Sequence, residues 1–68
     1  KMKIKYIEKF NLTIYKIKEN IYGVSDYLDI NFDKNLNAIK GTSCRHGYFQ
    51  NLTNQELSEI TRIVNNKN

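Results

Sequence analysis

Residues 28–40 read LDINFDKNLNAIK, and this stretch decides the fold class because it predicts a β-hairpin. Its first half alternates apolar residues with Asp and Asn, which is the pattern of a strand with one buried face. Asp-Lys-Asn at 33–35 favours a turn, because Asp and Asn bond the nearby backbone and tolerate left-handed geometry. Residues 36–40 can then return as the partner strand, and Gly41 is predicted to end it.

The segments before the hairpin predict two further strands. Residues 3–7 and 12–18 are rich in β-branched and aromatic residues, and Asn11 supplies a turn between them. The apolar residues of 12–28 also fall at helical spacing, so a helix is the alternative for that segment. We favour strands, because Gly23 would weaken a helix.

After the hairpin, residues 41–51 contain two glycines and several small polar residues, which predicts a loop. Within it, Tyr48 and Phe49 predict a short strand that leads into the next element. The three phenylalanines are expected to fill the core; they are Phe10, Phe32 and Phe49.

The C-terminal segment predicts an amphipathic helix over residues 54–65. Thr53 and Glu56 have the spacing of a capping box, in which two side chains satisfy backbone N–H groups at the helix start. Apolar residues follow at helical spacing, and Arg62 near the end suits the helix dipole.

These elements predict a single α+β domain, since 68 residues leave room for one domain only. The expected architecture is an antiparallel meander of four or five strands with the C-terminal helix packed across it. Strong curling of the sheet would close it into a small SH3-like barrel.

The composition limits how such a small domain is stabilised. Cys44 is the single cysteine, so no internal disulfide forms, and one Cys with one His cannot complete a four-ligand zinc site. Asp26, Asp29 and Asp33 lack the Gly and Glu of a calcium loop, and we expect no metal or other cofactor. A domain of this size often gains stability from a partner, which leaves room for a homo-oligomer.

The net charge of +4 invites a nucleic-acid partner. A genome rich in A/T codons would also enrich Lys, Asn, Ile, Tyr and Phe, so codon bias is an alternative source of the charge. No apolar run is long enough to span a membrane, and nothing resembles a signal peptide, so we predict a cytoplasmic protein.

Cys44, Arg45 and His46 form the one cluster that could carry chemistry. A thiol beside a cation and an imidazole can act as a nucleophile, and His46 could move a proton in RNA cleavage while Arg45 holds a phosphate. Neither an orienting acid nor an oxyanion hole is identifiable. A surface loop without catalytic residues is therefore the favoured interpretation.

Lysines on the first two strands are the best candidates for a binding surface. If the first strand buried Ile4 and Tyr6, its lysines would share the opposite face, and those of the second strand would share a face in the same way. Such a patch suits phosphate contacts, although lysines also protect sheet edges from aggregation. The predicted nucleic-acid contacts are Lys3, Lys5, Lys16, Lys18 and Arg45.

Exposed tyrosines are typical both of protein interfaces and of base-stacking surfaces. Two functions of a non-enzymatic binding protein therefore stand nearly equal: nucleic-acid binding, and docking on a larger protein as compact phage or mobile-element inhibitors do. A small ribonuclease that uses His46 is a distant third. The tyrosines expected at an interface are Tyr15, Tyr22, Tyr27 and Tyr48.

Overall fold

A computed structural model describes residues 1–66 of the chain. The elements are β1 (Met2–Ile7), a 3₁₀ turn (Glu8–Phe10), β2 (Leu12–Ile17), β3 (Asn20–Val24), β4 (Leu28–Phe32), β5 (Ala38–Arg45), β6 (Tyr48–Asn51) and α1 (Asn54–Val64).

The six strands form one antiparallel meander, in which each strand pairs with its neighbour along the chain. The order β1-β2-β3-β4-β5-β6 leaves the outer sides of β1 and β6 unpaired within residues 1–66, so the sheet is not closed into a barrel. The predicted small α+β meander with a C-terminal helix is confirmed. The sheet has six strands, where four or five were expected.

The additional strand is β3, which lies in a segment with no separate strand prediction. Residues 12–28 are strand and turn rather than helix, with β3 following a tight turn at Lys18 and Glu19. Over 41–51, the predicted short strand at Tyr48 and Phe49 is confirmed as part of β6, but the predicted loop before it is wrong, because β5 runs to Arg45.

Gly41 does not end a strand; it lies inside β5 opposite Ile30. A Cβ built at this position would lie 2.6 Å from the backbone oxygen of Asp29 and 2.9 Å from Leu52 Cδ1. The glycine therefore permits close packing of β4, β5 and Leu52 at a position where the sequence suggested the end of a strand.

A tight two-residue turn joins β5 to β6. Arg45 pairs with Tyr48, which leaves His46 and Gly47 as a two-residue turn. Both turn residues have positive φ, at 52° and 80°, as a type I′ hairpin requires.

One face of the sheet and the apolar side of α1 make the core. The fully buried side chains Leu12, Ile14, Ile30 and Val64 lie at its centre. The expectation for the phenylalanines is wrong at one position: Phe32 is buried and Phe10 packs against the core, but Phe49 is 73% exposed on the outermost strand. A strand with no neighbour on one side offers no surface to cover it.

The helix begins with the predicted capping box. Thr53 Oγ1 accepts a hydrogen bond from the Glu56 N–H at 3.1 Å, and Glu56 Oε1 accepts from the Thr53 N–H at 2.8 Å. Further along, Thr61 Oγ1 accepts from the Ala38 N–H at 2.7 Å, which ties the helix to β5.

Two carboxylates make the stability of the fold depend on pH: Asp33 in the turn after β4, and Glu56 in the first turn of α1. The side-chain amide of Asn37, with two backbone N–H groups, lowers the pKa of Asp33, and the Thr53 N–H lowers that of Glu56. A pKa depressed by folding adds stability above the ordinary values of 3.8 and 4.5, and this stability is lost as pH falls through the lower folded-state values. We therefore expect the melting temperature to fall between pH 5 and pH 2.

Calorimetric melting of wild type and of the double variant Asp33→Asn, Glu56→Gln checks this expectation. The variant should melt lower at neutral pH and lose less on acidification. Parallel curves for both proteins would assign the acid sensitivity to other groups.

Candidate binding face of the sheet

The sheet has two unlike faces. The helix face carries the buried core, and the opposite face, here called the open face, has no element of residues 1–66 packed over it. Directly paired residues of neighbouring antiparallel strands point to the same face, so the register assigns each side chain to one of the two.

An irregularity in β1 separates two of the predicted contact lysines. Lys3 pairs with Tyr15 and Lys5 pairs with Ile14, so Ile4 is an extra residue between them. Such a bulge turns the residues on its two sides to opposite faces. The expectation that Lys3 and Lys5 share a face, with Ile4 and Tyr6 buried, is wrong.

Lys5 instead serves the fold. It is half-buried on the helix face, where Nζ donates a hydrogen bond to the carbonyl oxygen of Val64 at the end of α1. A cation at this place satisfies a free carbonyl and complements the helix dipole.

The other predicted basic residues also lie apart. Lys16 follows buried Ile14 by two positions and so lies on the helix face, whereas Lys18 lies beyond the end of β2 in a turn, with φ of 57°. Their expected common face is therefore wrong as well. Arg45, at the end of β5, lies on the helix face beside Glu56.

A different set of residues lines up on the open face. Successive strand pairings join one residue from each of five strands into a line across the sheet. We call this line the open-face row. At about 4.8 Å between strands, it spans about 19 Å. Its members, in order, are Lys3, Tyr15, Tyr22, Asn31 and Lys40.

The row combines three kinds of group. A lysine stands at each end and is exposed, while the two tyrosines and Asn31 between them are half-buried. Lys1 adds a further ammonium group, with Nζ 4.4 Å from the centre of the Tyr15 ring. Lys3 Nζ lies 5.7 Å from the ring centre of Tyr6, whose hydroxyl donates to Asn11 Oδ1 at 2.7 Å.

A shallow groove of about 370 Å³ lies along the middle of the row. It adds polar and apolar groups from a neighbouring line of paired residues, Thr13, Val24 and Asp29. Aromatic surface, hydrogen-bonding groups and cations therefore converge on one side of the sheet.

The four predicted interface tyrosines divide between the two faces. Tyr15 and Tyr22 are neighbours in the open-face row. Tyr48 pairs with Arg45 on the helix face, and Tyr27, before β4, lines a 180 Å³ pocket beneath the helix. They do not form one surface.

The structure also separates the residues of the candidate reactive cluster. Cys44 pairs with Phe49 on the open face, whereas Arg45 points to the helix face and His46 is exposed in the turn. Alternation along β5 thus keeps the thiol and the guanidinium apart.

The sequence predicted three of the five members of the open-face row as contact residues, namely Lys3, Tyr15 and Tyr22, but not that they share one face. Tyr22 could not be assigned to a face, because β3 was not predicted. Asn31 and Lys40 were within reach, since the polar positions of the predicted hairpin already pointed away from the core.

The chain matches no protein-family model, no curated protein and no solved structure. Residues 1–66 contain no helix with the length and apolar character needed to cross a membrane. The same residues contain no group of three or more His, Cys, Asp or Glu side chains able to hold a metal ion.

Proposed function

We propose that this protein binds single-stranded nucleic acid on the open face of its sheet. The observation that carries the proposal is the open-face row, in which Tyr15 and Tyr22 lie between Lys3 and Lys40. Cytoplasmic location remains part of the same proposal.

Each group in the row has a part in such binding. Aromatic rings on a sheet surface accept stacked bases of any sequence, and the amide of Asn31 can hydrogen-bond to an exposed base edge. Lys3 and Lys40 stand on either side of the rings, where phosphates of a strand crossing the sheet would pass.

Tyrosines at the centre favour a single strand over a duplex. The bases of a duplex are stacked on one another, so rings on an open sheet could reach only its backbone. Asp29, in the neighbouring line, would repel phosphates placed over the middle of the sheet and favour bases there.

Fluorescence anisotropy with labelled single-stranded DNA, single-stranded RNA and duplex DNA tests the proposal. We expect Tyr15→Ala to weaken single-strand binding by about 5- to 150-fold, since stacking contributes about 1–3 kcal/mol per base. Lys3→Glu with Lys40→Glu should weaken it further and remove about 1.4 units from the slope of log K against log salt.

Lys16→Glu with Lys18→Glu is the matched control, because it changes the net charge equally but lies outside the row. It should leave most of the affinity intact. Equal losses for both pairs would reduce the interaction to overall charge, and an absence of binding at low salt would refute the proposal.

Docking on a larger protein, as an inhibitor does, is the alternative function for the same face. It is favoured by the half-buried tyrosines and the groove beside them, which also suit a protein side chain. Binding of this kind would respond much less to salt, and it is the function to pursue if no nucleic acid binds.

A further inference from the structure

We infer that the outer side of β6 pairs with β6 of a second copy, so that two chains form one continuous twelve-stranded sheet. This inference uses a different surface from the open-face row and does not depend on nucleic-acid binding.

The two edge strands of the sheet, β1 and β6, differ in how well they are protected against pairing with a strand of another chain. Along β1 stand Lys3 and Lys5, and the bulge at Ile4 interrupts the regular ladder. Charges and bulges of this kind are the usual protection of an edge strand. On β6 there is neither, since its four residues are uncharged and pair regularly with β5.

The four residues of β6 are also exposed to solvent, as expected of a surface that a partner covers. Tyr48 on the helix face and Phe49 on the open face are each 73% exposed, the highest fraction among the large apolar side chains of residues 1–66. Both faces of this short strand therefore present an aromatic ring to solvent, at a position where backbone N–H and C=O groups are also free.

A two-fold axis perpendicular to the sheet gives a self-consistent register. Such an axis keeps each side chain on its own face, so Phe49 lies opposite Phe49 of the second copy. Tyr48 then lies opposite Gln50, which shares its helix face because Gln50 pairs with Ser43. Two exposed apolar rings then bury each other, while the free backbone N–H and C=O groups of the two strands hydrogen-bond to one another.

The make-up of β6 favours a second copy as the occupant. Its four residues are uncharged, so two copies pair without bringing like charges together, and the exposed Phe49 is covered by its own equivalent. Pairing through β6 also leaves no further unprotected edge, so the assembly stops at two chains.

Sedimentation equilibrium over a range of concentrations tests the inference. Wild type should approach twice the mass of one chain as concentration rises, and Phe49→Lys should raise the dissociation constant by about 100-fold, since it removes two buried rings and opposes like charges. Ile39→Lys is the matched control, because Ile39 is 56% exposed but lies in β5. It should dimerise as wild type does.

Cross-linking tests the register itself. Phe49→Cys in a Cys44→Ser background should form a covalent dimer on mild oxidation, because directly opposed Cα atoms lie within disulfide range. Removing Cys44 is necessary, since it is the neighbour of position 49 within the chain. Ile4→Cys in the same background should remain uncoupled.

A wild-type monomer up to millimolar concentration would overturn the inference and leave β6 as an edge for a strand of another protein. A dimer that Phe49→Lys does not weaken, or that Ile4→Cys cross-links equally well, would place the contact elsewhere and overturn it as well.

Discussion

Replacing Ile14 with Ala is expected to remove about half of the free energy of unfolding of this domain at 25 °C. Ile14 is fully buried in the middle of the helix face, between Lys5 on β1 and Gly23 on β3. Removing so much of a buried side chain costs about 2–5 kcal/mol, through lost burial and the cavity left behind. A chain of 68 residues has a total stability of about 3–10 kcal/mol, so the loss is a large part of it.

Ile17→Ala is the matched control, since it makes the same chemical change in the same strand. Ile17 is 42% exposed and belongs to the opposite face, and its replacement should change stability by less than about 1 kcal/mol. Urea unfolding followed by circular dichroism would compare the two. Similar midpoints for both variants would contradict the assignment of β2's faces.

Gly41→Ala should be the second severe change, although it adds only one methyl group. The new Cβ would meet the Asp29 backbone oxygen at 2.6 Å and Leu52 Cδ1 at 2.9 Å, with the Cα of Ile30 at 3.2 Å. Backbone atoms of a paired strand cannot move without disturbing the β4–β5 ladder. We expect a loss of about 3 kcal/mol, the upper range for overpacking.

Gly23→Ala provides the comparison, because its contacts are of another kind. There the nearest atoms belong to side chains, Phe32 Cε2 at 2.8 Å and Leu12 Cδ1 at 3.2 Å, which can rotate away. The same urea experiment should show a loss of about 1 kcal/mol, nearer the lower end of the overpacking range. If Gly23→Ala proved the more damaging of the two, the close approach at Gly41 would not be the constraint proposed.

Local signals were enough to predict the helix and the central hairpin. The two partners of the capping box lie three residues apart in sequence, and the alternation of apolar and polar residues in β4 indicates which face is buried. Those features depend on neighbours in sequence, and the structure confirms both.

The existence of β3 and the full length of β5 depend on neighbours in space. Gly41 looks like a strand end by composition, yet its small size is required by the backbone of β4, which no local pattern reveals. The short β3 follows a turn without the usual glycine, so its start carries no turn signal, and Gly23 weakens the strand signal of Ile21, Tyr22 and Val24.

The candidate site was harder to predict for a similar reason. Assigning lysines to a face by alternation assumes an unbroken period of two, and the single extra residue Ile4 breaks it. Everything on the N-terminal side of that position changes face. A bulge is stabilised by pairing with another strand, so β1 alone gives no indication of it.

The meander has a kinetic consequence. Since each strand bonds only to the strand before and after it, the chain can close the whole ladder through short loops, whose entropic cost is small. Contacts between α1 and the sheet are the long-range part of the fold. The strands can therefore pair before α1 docks on them. Until it docks, the apolar helix face of the sheet stands uncovered, and contact with another unfolded chain at that face would lead to aggregation.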